Sequence, residues 1–114
     1  VVDDVEEQRQ IASEVFCRLG CTADCVDSGE AAVAFLKGHS VDLVVLDMLM
    51  APGIDGLESF KRIVAFKPEQ KVVIASGYSQ PSDMKEAKRL GVLDYIMKPY
   101  TLQHISRVLH RVFP

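Results

Sequence analysis

The stretch VDLVVLDMLMAPGIDG, residues 41–56, decides the fold. Leu43, Val44, Val45 and Leu46 form an unbroken apolar run with β-branched members, the pattern of a strand buried on both faces. Asp47 ends that run with a carboxylate. A loop over residues 48–55 follows. Asp55-Gly56 then opens a helix that carries Leu57, Phe60, Ile63, Val64 and Phe66 at helical spacing and is closed by Pro68. A doubly buried strand followed by a loop and an amphipathic helix is one βα unit of a parallel sheet.

The same alternation runs outward in both directions. Val1-Val2 is a short apolar stub ended by Asp3-Asp4, and residues 5–19 place Ile11, Val15, Phe16 and Leu19 on a helix stopped by Gly20. Residues 22–26 read as a short strand. Ser28 caps a second helix with Ala31, Ala32, Phe35 and Leu36, ended by Gly38. Downstream, residues 71–75 read as another buried strand, 81–90 as a helix ended by Gly91, and 92–97 as a fifth strand. The last helix carries Leu102, Ile105, Val108, Leu109 and Val112. Five βα repeats in 114 residues predict one α/β domain over residues 1–114, with helices on both faces of a parallel sheet. In such sheets the functional crevice lies outside the carboxyl ends of the strands.

Composition narrows the function. With 48% hydrophobic and 25% charged residues the chain matches average globular usage. No apolar run approaches the roughly 20 residues of a membrane span, and no basic-then-apolar signal segment opens the chain. Net charge is −3, so a nucleic-acid face would need a local patch against the overall sign. The expectation is a cytoplasmic domain without nucleic-acid or membrane contact of its own. Cys17, Cys21 and Cys25 lack a fourth metal ligand nearer than His39, and Cys17 and Cys25 read as small core hydrophobes. His39, His104 and His110 read as solvated, and Glu6-Glu7 with Arg9 as the exposed face of the first helix.

The expected strand ends bring together Asp3-Asp4, Asp27, Asp47, Ser76-Gly77 and Lys98-Pro99. Some have plain readings: Asp4 as a helix cap, Asp27 and Ser76 as turn residues, Lys98 as a surface charge. Asp47 resists one, because it follows four residues that must lie inside the sheet. Two carboxylates about 4 Å apart repel by roughly 4 kcal/mol at an effective dielectric of 20. Three are tolerable with a counter-ion, for which a hard divalent cation with oxygen ligands, such as Mg2+, is suited. With Lys98 as a second positive centre and Ser76 as a donor, the set points to phosphoryl chemistry with an aspartate acceptor.

The strings VVDD (1–4), VVLDMLM with PGIDG (44–56), IASG (74–77) and DYIMKPY (94–100) occur in order on alternating elements. Together they resemble the receiver domain of two-component response regulators over essentially the whole chain. The resemblance implies a flavodoxin-like (βα)5 sandwich with strand order 2-1-3-4-5, an order the chemotaxis member of this family exemplifies. It implies Asp47 as phosphoacceptor, and Asp3, Asp4, Asp47 and the backbone carbonyl of Leu49 as Mg2+ ligands. Ser76 matches the switch hydroxyl, Tyr95 the switch aromatic, and Lys98 the ammonium that meets a phosphoryl oxygen. Gly77 leaves room for the incoming group, and Lys98-Pro99 is a candidate cis bond.

By the same resemblance, a histidine kinase or histidine phosphotransfer domain supplies the phosphoryl group. The domain then catalyses only its own phosphorylation and dephosphorylation. The output lies on the face of the fourth helix, fifth strand and fifth helix, which is also a candidate homodimer surface. Leu49 and Tyr78 flank the path of attacking water and imply a phosphoryl lifetime on the order of hours.

Two departures stand out. Ala51 precedes Pro52, so the loop after the acceptor carries one residue more than receivers usually have, and only Val1-Val2 represent the first strand. The short start suggests a domain cut from a longer protein. The extra residue and the ASG and KPYT strings are most similar to receivers of hybrid sensor histidine kinases, while a stand-alone receiver or a transcriptional regulator fits almost as well. The alternative function is a pseudo-receiver, a protein-interaction module that is never phosphorylated. A phosphohydrolase of the haloacid-dehalogenase type would need a second aspartate where Leu49 stands. A nucleotide or flavin site would need glycines in the acidic turn Asp3-Asp4-Val5-Glu6-Glu7.

Overall fold

The computed structural model describes residues 1–50, 53–77 and 81–114, the side chains of Pro81 and Asp83 excepted. Helices α1 (Glu6–Arg18), α2 (Gly29–Gly38), α3 (Gly56–Phe66), α4 (Pro81–Leu90) and α5 (Leu102–Val112) are joined by strands β1 (Val44–Asp47), β2 (Val72–Ser76) and β3 (Asp94–Met97). The strands are parallel in the order β1-β2-β3, with Val45 opposite Val73 and Ile74 opposite Tyr95. Val2 adds parallel bridges to Leu46 on one side and Val26 on the other. Read across the sheet, the order is Val26, Val2, β1, β2, β3, which is the expected 2-1-3-4-5.

The first two expected strands are thus reduced to single bridges, and the strand predicted over 22–26 pairs only at Val26. A parallel ladder needs a partner for every rung, and Val1 and Val2 alone supply one. Val26 N–H donates to Val1 O and Asp3 N–H to Val26 O, while the Val1 nitrogen donates to Asp24 O at 2.9 Å. An apolar cleft of about 920 Å³, lined by Phe16, Leu19, Phe35, Leu36 and Val41 among others, opens here at the amino ends of the strands.

Period-two alternation sorts the strand side chains into two cores. Val44, Leu46, Val72, Ile74 and Tyr95 pack with α2, α3 and α4 through Leu36, Phe60, Ile63 and Ala87. Val45, Val73, Ala75 and Ile96 pack with α1 and α5 through Ala12, Phe16, Ile105 and Val108. Helix starts follow the predicted caps: Ser28 Oγ accepts from Ala31 N–H at 3.0 Å and Asp55 Oδ1 from Glu58 N–H at 2.8 Å. Gly20 and Gly91, at φ 88° and 109°, end α1 and α4 in the left-handed conformation that favours glycine.

Two expectations need correction. Cys17 and Cys25 are exposed and Cys21 half-buried, all as free thiols, because α1 turns its Ala12–Phe16 face inward and leaves Cys17 outside. Asp4 does not cap α1. The N-cap residue is Val5, and its N–H is taken by Asp3 Oδ1 at 2.9 Å. His39 is exposed, as expected, and its ring stacks on Phe35 at 4.1 Å. Among the described residues, no helix is long and apolar enough to cross a membrane.

Candidate functional site

Asp47 is the last residue of β1 and is buried, since the strand carrying it is covered on both sides. Its N–H donates to Val2 O at 2.9 Å, which fixes the end of β1 against the stub that leads into Asp3. The chain turns away through Met48, whose N–H donates to Ala75 O, and returns at Gly56, whose N–H donates to Met48 O at 2.9 Å. A β-carbon at Gly56 would lie 2.6 Å from Asp47 O and 2.9 Å from Met48 Cα, both backbone atoms. Gly56→Ala should therefore push the end of β1 aside. The expected cost is about 1–3 kcal/mol of stability, read from urea unfolding; a loss under a few tenths would show the contact to be soft.

Lys98 enters from the end of β3. Its peptide bond to Pro99 is cis, and its N–H donates to Ser76 O at 2.9 Å. Its ammonium reaches Asp3 Oδ2 at 2.6 Å and Asp47 Oδ1 at 3.1 Å. Asp3 is fully buried, whereas Asp4 beside it is exposed. Carboxylate oxygens of Asp3, Asp4 and Asp47 lie within 4.8 Å of one another. The plain reading of Lys98 as a solvated surface charge therefore fails: the side chain is 14% exposed and clasped by two carboxylates.

Burial raises the pKa of Asp47; Lys98 opposes the shift, and the charges of Asp3 and Asp4 add to it. For Lys98, burial works against the ammonium, but its hydrogen bond to Asp3 and the charge of Asp47 outweigh it and raise the pKa. Three carboxylates against one ammonium leave a local charge of −2. Three hard oxygen donors with that deficit, one of them open to solvent, suit a hard divalent cation.

The other expected residues divide. Ser76 is buried at the end of β2, one residue beyond Ala75, the partner of Asp47, so it neighbours the acceptor. Tyr95 is buried in the α2–α4 core. Leu49 is 65% exposed. A β-carbon at Gly77 would meet nothing within 4 Å among the described residues. Ala51 and Tyr78 lie outside the described residues.

Two neighbours of the site escaped the sequence reading. The Arg9 guanidinium turns back onto Asp3 O at 2.8 Å instead of facing solvent with Glu6 and Glu7. Tyr100 is buried and its hydroxyl has no hydrogen-bond partner among the described residues. Burial first, then the charges of Asp3 and Asp47, raise its pKa. A buried hydroxyl without a partner costs about 1–3 kcal/mol. Tyr100→Phe is therefore expected to stabilise the chain by about 1 kcal/mol in chemical denaturation; a loss of stability would reveal a partner for the hydroxyl.

Comparison with known proteins shows the family. The response regulator receiver domain family matches residues 1–110. Sporulation initiation phosphotransferase F of Bacillus subtilis (strain 168) is 31% identical over 114 residues, covering all of this chain and 91% of that protein. Regulatory protein AtoC of Escherichia coli (strain K12) is 27% identical over 111 residues; the match takes in 97% of this chain but only 24% of AtoC. Among solved structures, the CheX–CheY–BeF3–Mg2+ complex from Borrelia burgdorferi aligns with a TM-score of 0.85 at 29% identity, covering 97% of this chain and 82% of that one. The chain belongs to the response regulator receiver domain family of two-component systems.

Proposed function

We propose that this domain is a phosphorylation switch in which Asp47 accepts a phosphoryl group from the phosphohistidine of a histidine kinase or histidine phosphotransfer domain. The observation that carries the reading is the Lys98 ammonium bridging Asp3 and Asp47, with the open carboxylate of Asp4 alongside. In the transfer, the bond from phosphorus to the donor's imidazole nitrogen breaks and a bond to an Asp47 carboxylate oxygen forms. The released imidazole takes its proton from solvent. Mg2+ held by Asp3, Asp4, Asp47 and the carbonyl of Leu49 would offset the charge gathering on the phosphoryl oxygens. The magnesium and BeF3 in the Borrelia CheX–CheY complex support that assignment by analogy. Lys98 supplies a positive charge that is already desolvated, and so acts on the phosphoryl oxygens with little reorganisation.

Ser76 and Tyr95 carry the state outward, Ser76 as a hydroxyl donor to the phosphoryl group and Tyr95 by changing its packing under α4. The readout is the α4–β3–α5 face, where Leu93, Met97 and Leu102 are exposed, and a homodimer through this face belongs to the same proposal. The domain turns over no other substrate, works in the cytoplasm as part of a longer signalling protein such as a hybrid histidine kinase, and touches neither nucleic acid nor membrane itself. The test is intact mass after incubation with acetyl phosphate and Mg2+, which should show one added phosphoryl unit. A folded protein that gains no mass would favour the pseudo-receiver. Because Leu49 offers no group to orient water, the adduct should decay over hours, an order-of-magnitude expectation. Decay within seconds, followed by mass in magnesium buffer, would refute it.

A further inference from the structure

We infer that Arg9 is a positioning residue for the acidic pair, holding the peptide between Asp3 and Asp4 so that the Asp4 carboxylate faces the site. Asp3 is tied at every polar atom: its N–H to Val26 O, Oδ1 to Val5 N–H, Oδ2 to Lys98, and its carbonyl to Arg9 Nη1 at 2.8 Å. Asp4 is exposed and makes no hydrogen bond or ion pair among the described residues, so the backbone alone sets the direction in which its Cα–Cβ bond leaves the turn. The Asp3 carbonyl belongs to the planar peptide unit that joins the two aspartates. Fixing that carbonyl fixes the plane from which Asp4 departs. The Val5 N–H and Lys98 hold the Asp3 carboxylate, and the N-cap residue Val5 offers no side-chain bond, so among the described residues the bond to the Asp3 carbonyl itself comes from Arg9. Arg9 lies one turn into α1, so its guanidinium braces the Asp3–Asp4 turn against the helix.

The inference rests on the reading that Asp3 and Asp4 hold a divalent cation, and its test separates the two. Arg9→Met keeps the aliphatic stem and removes the donors; Arg9→Lys keeps a cationic donor group. In metal-free buffer, amide hydrogen exchange at Val5, whose N–H donates to Asp3 Oδ1, should be about tenfold faster in Arg9→Met. Exchange at Ile74 in β2 should stay within about twofold of the parent chain, and Arg9→Lys should restore most of the Val5 protection. Mg2+ affinity, followed by NMR titration, should fall about tenfold in Arg9→Met. Unchanged Val5 exchange would overturn the inference, and so would a matching rise at Val5 and Ile74, which marks a loss of overall stability. An unchanged Mg2+ affinity with a loosened Val5 would overturn it as well. If the parent chain binds no Mg2+, the cation reading fails and the inference with it, while the Val5 comparison still shows whether Arg9 holds the turn.

Discussion

Asp47→Asn should gain no mass on incubation with acetyl phosphate and Mg2+, where the parent chain gains about 80 Da. An amide cannot act as the nucleophile, and Asp3, the other buried carboxylate of the site, is taken up by Lys98 and the Val5 N–H. Equal gain in both proteins would move the acceptor elsewhere and sink the assignment. The same variant should unfold at a higher temperature than the parent at pH 7 in metal-free buffer. The sign follows from the raised pKa of Asp47, whose main cause is burial. The folded chain holds the Asp47 proton more tightly than the unfolded chain does, so the stability tied to that proton is full below 3.8 and lost as pH rises through the folded value. At pH 7 the fold carries this cost, and the amide removes it together with the repulsion from Asp3 and Asp4. The advantage of the variant should shrink as pH falls toward 3.8. A lower midpoint for Asp47→Asn at pH 7 would mean that its bond to Lys98 outweighs burial.

Lys98→Met should have the opposite effect on stability. Asp3 is 0% exposed at its side chain and Lys98 14%, so the pair is buried, and its Asp3 partner cannot turn to water once the ammonium is gone. Stranding one member of a buried ion pair costs about 3–5 kcal/mol. For a domain of this length that lowers the midpoint by about 10–20 °C. Mg2+ should recover more of the midpoint in Lys98→Met than in the parent, because the variant leaves all three carboxylates uncompensated and a cation that binds only the folded chain stabilises it. Thermal unfolding with and without Mg2+ reads both effects. A midpoint within a few degrees of the parent would show that Asp3 takes up a proton at little cost.

Much of this site was legible because a parallel sheet makes its strand ends converge. The apolar run before Asp47 and the strings around Ser76 and Lys98 marked three ends, and Asp3-Asp4 a fourth. The convergence then needs only the strand order, which the resemblance to receivers implies. Arg9 was not legible. On a helix its position relative to Glu6 and Glu7 reads as surface, and only the path of the turn before α1 brings the Asp3 carbonyl within its reach. Tyr100 was hidden differently, since a tyrosine is expected to keep its hydroxyl wet or bonded, and here the α1–α5 core encloses it. The cysteines misled because Cys17 lies one residue past Phe16 on α1, which turns it out of the buried face.

The pairing of β2 with β3 sets Ser76 opposite Met97, and the next backbone bond runs from Lys98 N–H to Ser76 O. The hydroxyl and the ammonium are therefore mounted on adjacent rungs of one ladder, and their spacing is a property of the backbone. Such a gauge tolerates wide drift in the helices and loops around it. What it cannot absorb is a single-residue slip of β3, which would carry Lys98 to the opposite face and silence the chemistry while leaving the composition of the chain untouched.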